Sequence, residues 1–258
     1  MNNQLPPIWV ISLQRSTERR VYITQHLRDL NLPFEFIDAI DGQTLTPEQL
    51  RLYSSAQTQY LLNRELTVGE IGCALSHLMA LRRIVDQKIP EALILEDDVV
   101  LTPDFLDVLS HRSNFPKDWE LVLFGYTWGI PSYWGRQPLG RERFAIKFGR
   151  RVSGNFAYLV TQHGAQKVLA AAYPIRMPSD ALTGGLIRTG LHLYGIWPEC
   201  AATLHAHDLT YSTMPETASY RNRNQAKFEQ LSRRGVARLR IKNWIRRMYY
   251  RYNPLTIV

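Results

Sequence analysis

Ala92-Leu93-Ile94-Leu95 is an unbroken apolar run that stops on Glu96-Asp97-Asp98. Four apolar residues without polar alternation suit a strand covered on both faces. Such strands belong to parallel sheets flanked by helices, and open sheets of that kind bind ligands outside the carboxyl ends of their strands. Neighbouring residues on an extended chain point to opposite sides, so Glu96 and Asp98 are expected on one side and Asp97 on the other. A hard divalent cation bridging to phosphate needs one or two carboxylates and takes its other oxygens from water and substrate. Glu96-x-Asp98 offers that set. The plain alternative is a solvated turn whose acids serve only the backbone.

The rest of the chain agrees with a mostly parallel α/β sheet. Ile8 to Leu13 reads as a buried first strand, Ser16 or Thr17 can cap a helix running to about Leu30, and Phe34 to Ile40 reads as a second strand closed by Asp41-Gly42. Thr67-Val68-Gly69-Glu70 fits a capping box. The helix it opens is expected to bury Ile71, Leu75, Leu78 and Val85, with Glu70 and His77 on another face. Further strands are expected at Glu120–Phe124, Phe156–Thr161 and Tyr194–Trp197, and helices after Thr102-Pro103, over Gly164–Ala172 and from Ser179-Asp180. Residues 125–150, with five glycines, two prolines and Tyr126, Trp128, Tyr133 and Trp134, read as a functional loop or lid.

Charge separates the chain into two parts. The net charge is +8, but residues 221–252 alone carry +10 and the remainder −2. No basic groove of the kind a nucleic-acid binder needs is expected on the main domain. The division expected is 1–215 for the α/β domain and 216–258 for a basic helical segment. Two cysteines, Cys73 and Cys200, form no CxxC pair. A reducing, intracellular setting is expected, and the apolar run after the first residues is too short for a signal peptide.

Taken together, Leu66-Thr67-Val68-Gly69-Glu70-Ile71-Gly72-Cys73-Ala74-Leu75-Ser76-His77 and Leu93-Ile94-Leu95-Glu96-Asp97-Asp98-Val99 resemble the signature of glycosyltransferase family 25, the lipopolysaccharide/lipooligosaccharide galactosyltransferase family. Ile11-Ser12-Leu13-x-Arg15 with Arg19-Arg20, Ala39-Ile40-Asp41-Gly42 and Gly154-Asn155-Phe156-Ala157-Tyr158-Leu159-Val160 resemble its other blocks. The resemblance implies a GT-A-like fold, a UDP-sugar donor, Mn2+ or Mg2+ on the donor diphosphate, and transfer of a hexose with inversion. It implies donor-binding positions at Ser12, Arg15, Arg19, Asp41, His77, Glu96 and Asp97. Asp98 and Glu96 are expected at the metal, with His207 as a third ligand.

An inverting transfer also needs a carboxylate to take the acceptor proton. Asp180, after Pro178-Ser179, resembles the family's later acidic motif and is the expected base, with Glu70 second; its plain role would be a helix cap. Tyr126, Trp128, Tyr133 and Trp134 are expected to stack on an oligosaccharide or lipooligosaccharide acceptor. The competing class is a non-catalytic carbohydrate- or membrane-binding protein, which has no need of a carboxylate cluster. In the tail, Ile241, Trp244, Ile245, Met248 and Tyr252 recur at helical spacing among arginines, which suits an anionic bilayer surface. A cytoplasmic protein, peripheral on the inner face of a bacterial inner membrane, is therefore expected.

Overall fold

The computed structural model describes residues 5–140, 143–149, 151–185 and 189–204. Within them, a three-layer α/β unit is built on one eight-stranded sheet. Its elements are β1 (Ile8–Ser12), α1 (Thr17–Asp29), β2 (Glu35–Asp38), α2 (Pro47–Arg51), α3 (Ser55–Leu62), α4 (Val68–Asp86), β3 (Glu91–Glu96), β4 (Val99–Leu101), α5 (Phe105–Ser110), β5 (Leu121–Leu123), β6 (Pro131–Gly140), β7 (Arg143–Phe148), β8 (Ala157–Thr161), α6 (Gln162–Ala172), α7 (Ser179–Thr183), β9 (Leu193–Trp197) and β10 (Ala201–Thr203). The sheet order is β2-β1-β3-β8-β5-β9-β7-β6, and β4 pairs separately with β10. Only β8 and β7 run against the other six strands.

Chain order places the ligand crevice. β2 lies on one side of β1 and β3 on the other, so the winding reverses between β1 and β3. Loops leaving those two strands diverge and open a crevice at their carboxyl ends. Ser12 ends β1 and Glu96 ends β3.

Both sheet faces are sealed, as the apolar strand runs require. Val10, Leu93 and Leu95 pack with Ile23 and Leu27 of α1 and Phe105 and Leu109 of α5. On the other face Trp9, Ile11 and Ile94 pack with Leu75, Leu78, Leu81 and Ile84 of α4 and Val168 of α6. α4 is more deeply placed than its stripe suggests: Glu70, Ser76 and His77 are buried with the apolar set, whereas Val85 is only partly covered. The physical reason is that the turn after β2 lies directly on it. A Cβ on Gly42 would meet the Val68 carbonyl oxygen at 2.1 Å, and one on Gly72 would meet that of Ile40 at 2.6 Å. The Ile40 N–H donates to Ser76 Oγ at 2.8 Å, and Ser76 Oγ donates to the Gly72 carbonyl at 2.7 Å.

Residues 125–150 are not a free lid. β6 and β7 form a hairpin, and β7 joins the sheet through β9. Phe144, Ala145 and Ile146 meet Trp197, Ile196 and Gly195 in register, so ladder hydrogen bonds and burial hold the segment. The expected boundary at residue 215 and the basic segment 216–258 lie outside the described residues.

α1 also grips β4, the strand that follows the acidic triplet. His26 Nε2 accepts from the Leu101 N–H at 2.8 Å, and the ring stacks on Tyr22 at 5.8 Å. Burial lowers the His26 pKa below its ordinary value, against a weaker opposing pull from Asp29. Only the unprotonated nitrogen can accept. The folded pKa lies below the unfolded one, so this stabilisation is complete above about pH 6.5 and is lost as pH falls through the folded value. Thermal melts over that range should show His26→Gln losing less stability on acidification than wild type. Parallel pH profiles would refute the assignment.

Candidate active site

The triplet sits in a strand-to-turn transition: Glu96 is the last residue of β3, and Asp97-Asp98 form the turn into β4. Ser12 Oγ donates to Asp97 Oδ2 at 2.7 Å, which joins the ends of β1 and β3. Arg19 of α1 reaches both aspartates, at 2.8 Å to Asp97 Oδ1 and in a closer contact to Asp98 Oδ2. Asp98 thus shares a cation with Asp97 rather than standing with Glu96 alone. The turn overrides the two-residue alternation that the sequence implies.

Burial raises the Asp97 pKa, against the Arg19 guanidinium and the Ser12 hydroxyl. Asp98 is raised to about 6, first by burial and then by Glu96, with Arg19 opposing. Desolvation and like charge both disfavour an ionised carboxylate. Asp98 Oδ1 is buried and has no hydrogen-bond partner among the described residues. A buried acceptor without a partner costs stability unless another group or water meets it. The all-oxygen donor set and this orphan oxygen fit a hard divalent cation.

On the other side of β3, His77 of α4 is 2% exposed. Its Nε2 lies 3.2 Å from Glu96 Oε1, and its Nδ1 lies 3.0 Å from the hydroxyl of buried Tyr158. His77 therefore positions Glu96 and has no surface to offer a donor, contrary to the donor-binding role expected for it. Cys73, one turn earlier, has its thiol pKa raised well above the ordinary value by burial, then by Glu96, Asp180, Glu70 and Asp98. Of these acids, Glu96 offers an oxygen within 4.8 Å of the thiol.

Glu70 is bound into the scaffold. Its carboxylate accepts two 2.6 Å bonds from Arg64 and a 2.9 Å bond from the Thr67 N–H, completing the expected capping box. With both oxygens engaged, it is poorly suited to the role of second base that the sequence suggests. Asp180 lies in the first turn of α7, whose cap is Pro178, so it is not a capping residue. Asp180 Oδ2 accepts from the Gly154 N–H at 3.1 Å. Gly154 has φ +90°, and a Cβ there would meet the Thr127 nitrogen at 2.5 Å, so only glycine fits. Asn155 Nδ2 donates to Ser179 Oγ at 2.7 Å beside it. These bonds fasten α7 to the start of β8, at the same sheet edge as Glu96.

The remaining expected residues divide. Arg15 and Asp41 pair with each other at 2.6 Å near the surface, and the guanidinium holds the Asp41 carboxyl below its usual range. Tyr126 is partly covered and meets Phe148 edge-on at 5.0 Å. Trp128 is 52% exposed and its backbone pairs with Ser153, next to Gly154. Trp134 is 91% exposed in an irregularity of β6 between Ser132 and Gln137. Five strand spacings separate β3 from β6, about 24 Å at about 4.8 Å each. Trp134 is thus several strands from the triplet, while Trp128 pairs with Ser153, next to the glycine that binds Asp180. The Tyr133 side chain and His207 lie outside the described residues. Sequence reasoning gave no function to Cys73, Tyr158 or Asn155; Cys73 and His77, four apart on one helix, were the available signal.

Residues 5–183 match the family model Glycosyltransferase family 25 (LPS biosynthesis protein). Human Procollagen galactosyltransferase 2 is 25% identical over 185 residues, covering 64% of this chain and 27% of its own length. A Glycosyltransferase 25 family member of Anopheles gambiae is 30% identical over 181 residues, covering 64% and 28%. The Bos taurus protein named "Probable inactive glycosyltransferase 25 family member 3" is 29% identical over 191 residues, covering 67% and 30%. The chain therefore spans less than a third of these relatives. A solved glycosyltransferase involved in glycosylation of the major capsid of PBCV-1 aligns over 66% of each chain at 10% identity and TM-score 0.33, too remote to carry an argument.

Proposed function

The chain belongs to glycosyltransferase family 25, and from that premise we propose that it moves a hexose, galactose by family resemblance, from a UDP-sugar to a saccharide hydroxyl with inversion. The observation that carries this reading is that Glu96 ends β3, bonded through its N–H to the Phe156 carbonyl, while Asp180 is held to Gly154 just before the paired strand β8, with a buried Asp98 oxygen that has no partner among the described residues. Asp98, with Glu96, would hold Mn2+ or Mg2+. The bound cation would supply Lewis-acid neutralisation of the departing diphosphate. Ser12 and Arg19 hold Asp97 and so fix the turn that presents Asp98. Asp180, oriented by the Gly154 amide, takes the proton from the acceptor hydroxyl. Trp128 offers a face for the acceptor ring, positioning the hydroxyl for in-line attack.

The second reading, a binder without turnover, is kept alive by the bovine relative's name. A role in lipooligosaccharide assembly and a peripheral, cytoplasmic location at an anionic inner membrane are proposals from sequence, and co-sedimentation with anionic vesicles tests the latter. Among the described residues no helix is long and apolar enough to cross a membrane.

Thermal shifts with UDP-, GDP- and CMP-sugars, each with and without Mn2+, test the donor class. At one hundred times Kd a ligand stabilises by about 2.7 kcal/mol. For a domain of this size that is a rise of roughly 5–10 °C. The rise is expected for UDP-galactose with Mn2+ and not in EDTA. A preference for GDP- or CMP-sugars would overturn the donor, and binding without release of UDP to any saccharide would favour the binder.

A further inference from the structure

Cys73 and His77 share one face of α4 at i, i+4 spacing, and Glu96 closes from the end of β3. One ligand atom from each of the three lies within 4.8 Å of the others. His77 Nε2 and Glu96 Oε1 are 3.2 Å apart. Nitrogen and oxygen ligands at about 2.0–2.2 Å from a tetrahedral zinc ion are about 3.4 Å from each other, so this hydrogen-bonded pair has close to the spacing of one tetrahedral edge once Nε2 is unprotonated.

The donor set is not that of the triplet. Sulfur and imidazole select zinc, whereas magnesium and manganese favour carboxylate, carbonyl and water oxygens. The second nitrogen of His77 is held by the Tyr158 hydroxyl, an outer contact of the kind that fixes the ring and its tautomer at metal sites. Both rings are buried and stack at 5.8 Å, which restricts the imidazole. The Glu96 carboxylate beside the thiol and the imidazole supplies negative charge that favours a dication.

We infer that Cys73, His77 and Glu96 form a Zn2+ site, distinct from the hard-cation position at Asp98 but sharing Glu96 with it, with the fourth ligand position open to water. Binding replaces the Cys73 S–H proton with a zinc–sulfur bond and releases that proton to solvent. Because Glu96 serves both positions, Zn2+ bound here inhibits the transferase even in the presence of Mn2+. The site itself does not depend on the transferase reading, whereas the inhibition does.

Co2+ added alone to the full chain is the probe. One equivalent should produce a thiolate-to-cobalt charge-transfer band with tetrahedral ligand-field bands. Stoichiometric Zn2+ should bleach them, and excess Mg2+ should not. Cys73→Ser should abolish the charge-transfer band with an unchanged circular dichroism spectrum, while Cys200→Ala should retain it. Tyr158→Phe should weaken Zn2+ binding by about 10–100-fold through loss of the outer contact. Absence of the charge-transfer band in the unaltered protein overturns the site without recourse to any variant. A band that survives Cys73→Ser overturns it equally. Either failure leaves the proposed transfer untouched, because UDP release with Mn2+ is measured separately.

Discussion

Asp98→Asn should lose transfer activity without losing stability. The substituted side chain keeps the shape of aspartate but not the charge that a divalent cation requires. Removing one preorganised electrostatic contact to charge developing in a transition state costs about 10²–10³-fold in rate, and the loss of a cation would cost at least that. The stability side follows from the same residue. Burial and the neighbouring Glu96 raise the Asp98 pKa to about 6, so its ionised form is disfavoured in the folded chain. Replacing it relieves repulsion within the triplet and forfeits one contact to Arg19, which retains Asp97. The melting temperature should therefore hold or rise, and donor-induced stabilisation in Mn2+ should vanish. UDP release, thermal melts and EDTA treatment of wild type, followed by Mn2+ readdition, read all three effects. Full turnover by Asp98→Asn, or by wild type in EDTA, would remove the cation from this turn.

The sheet was largely legible because a strand buried on both faces has to be apolar throughout. Ile8 to Leu13 and Ala92 to Leu95 could hardly form anything else. Direction was not legible. Ala157-Tyr158-Leu159-Val160 is as apolar as a parallel strand, yet β8 runs antiparallel between β3 and β5, a result of tertiary connection rather than local pattern. The hairpin β6–β7 escaped for a related reason: its glycines and prolines signal loop, while its pairing with β9 is supplied by residues about fifty positions away.

At the site, residue identities were easier to read than their duties. The acids stood out, but contacts distant in sequence assign their work. Ser12 holds Asp97 across 85 positions, and Tyr158 holds His77 across 81. Glu70 and His77 looked similar from spacing alone. One became a clamped cap and the other a buried strut for Glu96, because the turn at Gly42 lies on α4 and shuts out solvent. Cys73 stands in the family-signature block without a duty legible from sequence, and the fold sets it beside His77 and Glu96.

Asp180→Asn separates chemistry from architecture most cleanly. The carboxamide oxygen of asparagine can still accept from the Gly154 N–H, so the junction between α7 and the start of β8 should survive. The adjacent bond from Asn155 to Ser179 supports the same junction and is untouched. A carboxamide cannot take a proton from an attacking hydroxyl at neutral pH. Removing a positioned general base costs about 10²–10⁴ in rate. That is about 3–5 kcal/mol of barrier at 1.36 kcal/mol per factor of ten. The loss should fall on kcat, because Asp180 acts on the acceptor proton and donor binding draws on the turn at Asp98. UDP-sugar thermal shifts in Mn2+ should therefore match wild type while UDP release collapses. The contrast with Glu70→Gln is part of the expectation: its bonds to Arg64 and Thr67 make it a stability variant, with a lower melting temperature and a much smaller fall in kcat. Normal turnover by Asp180→Asn would sink the assignment. Glu70 would not replace it, since Arg64 and the Thr67 N–H engage both its oxygens.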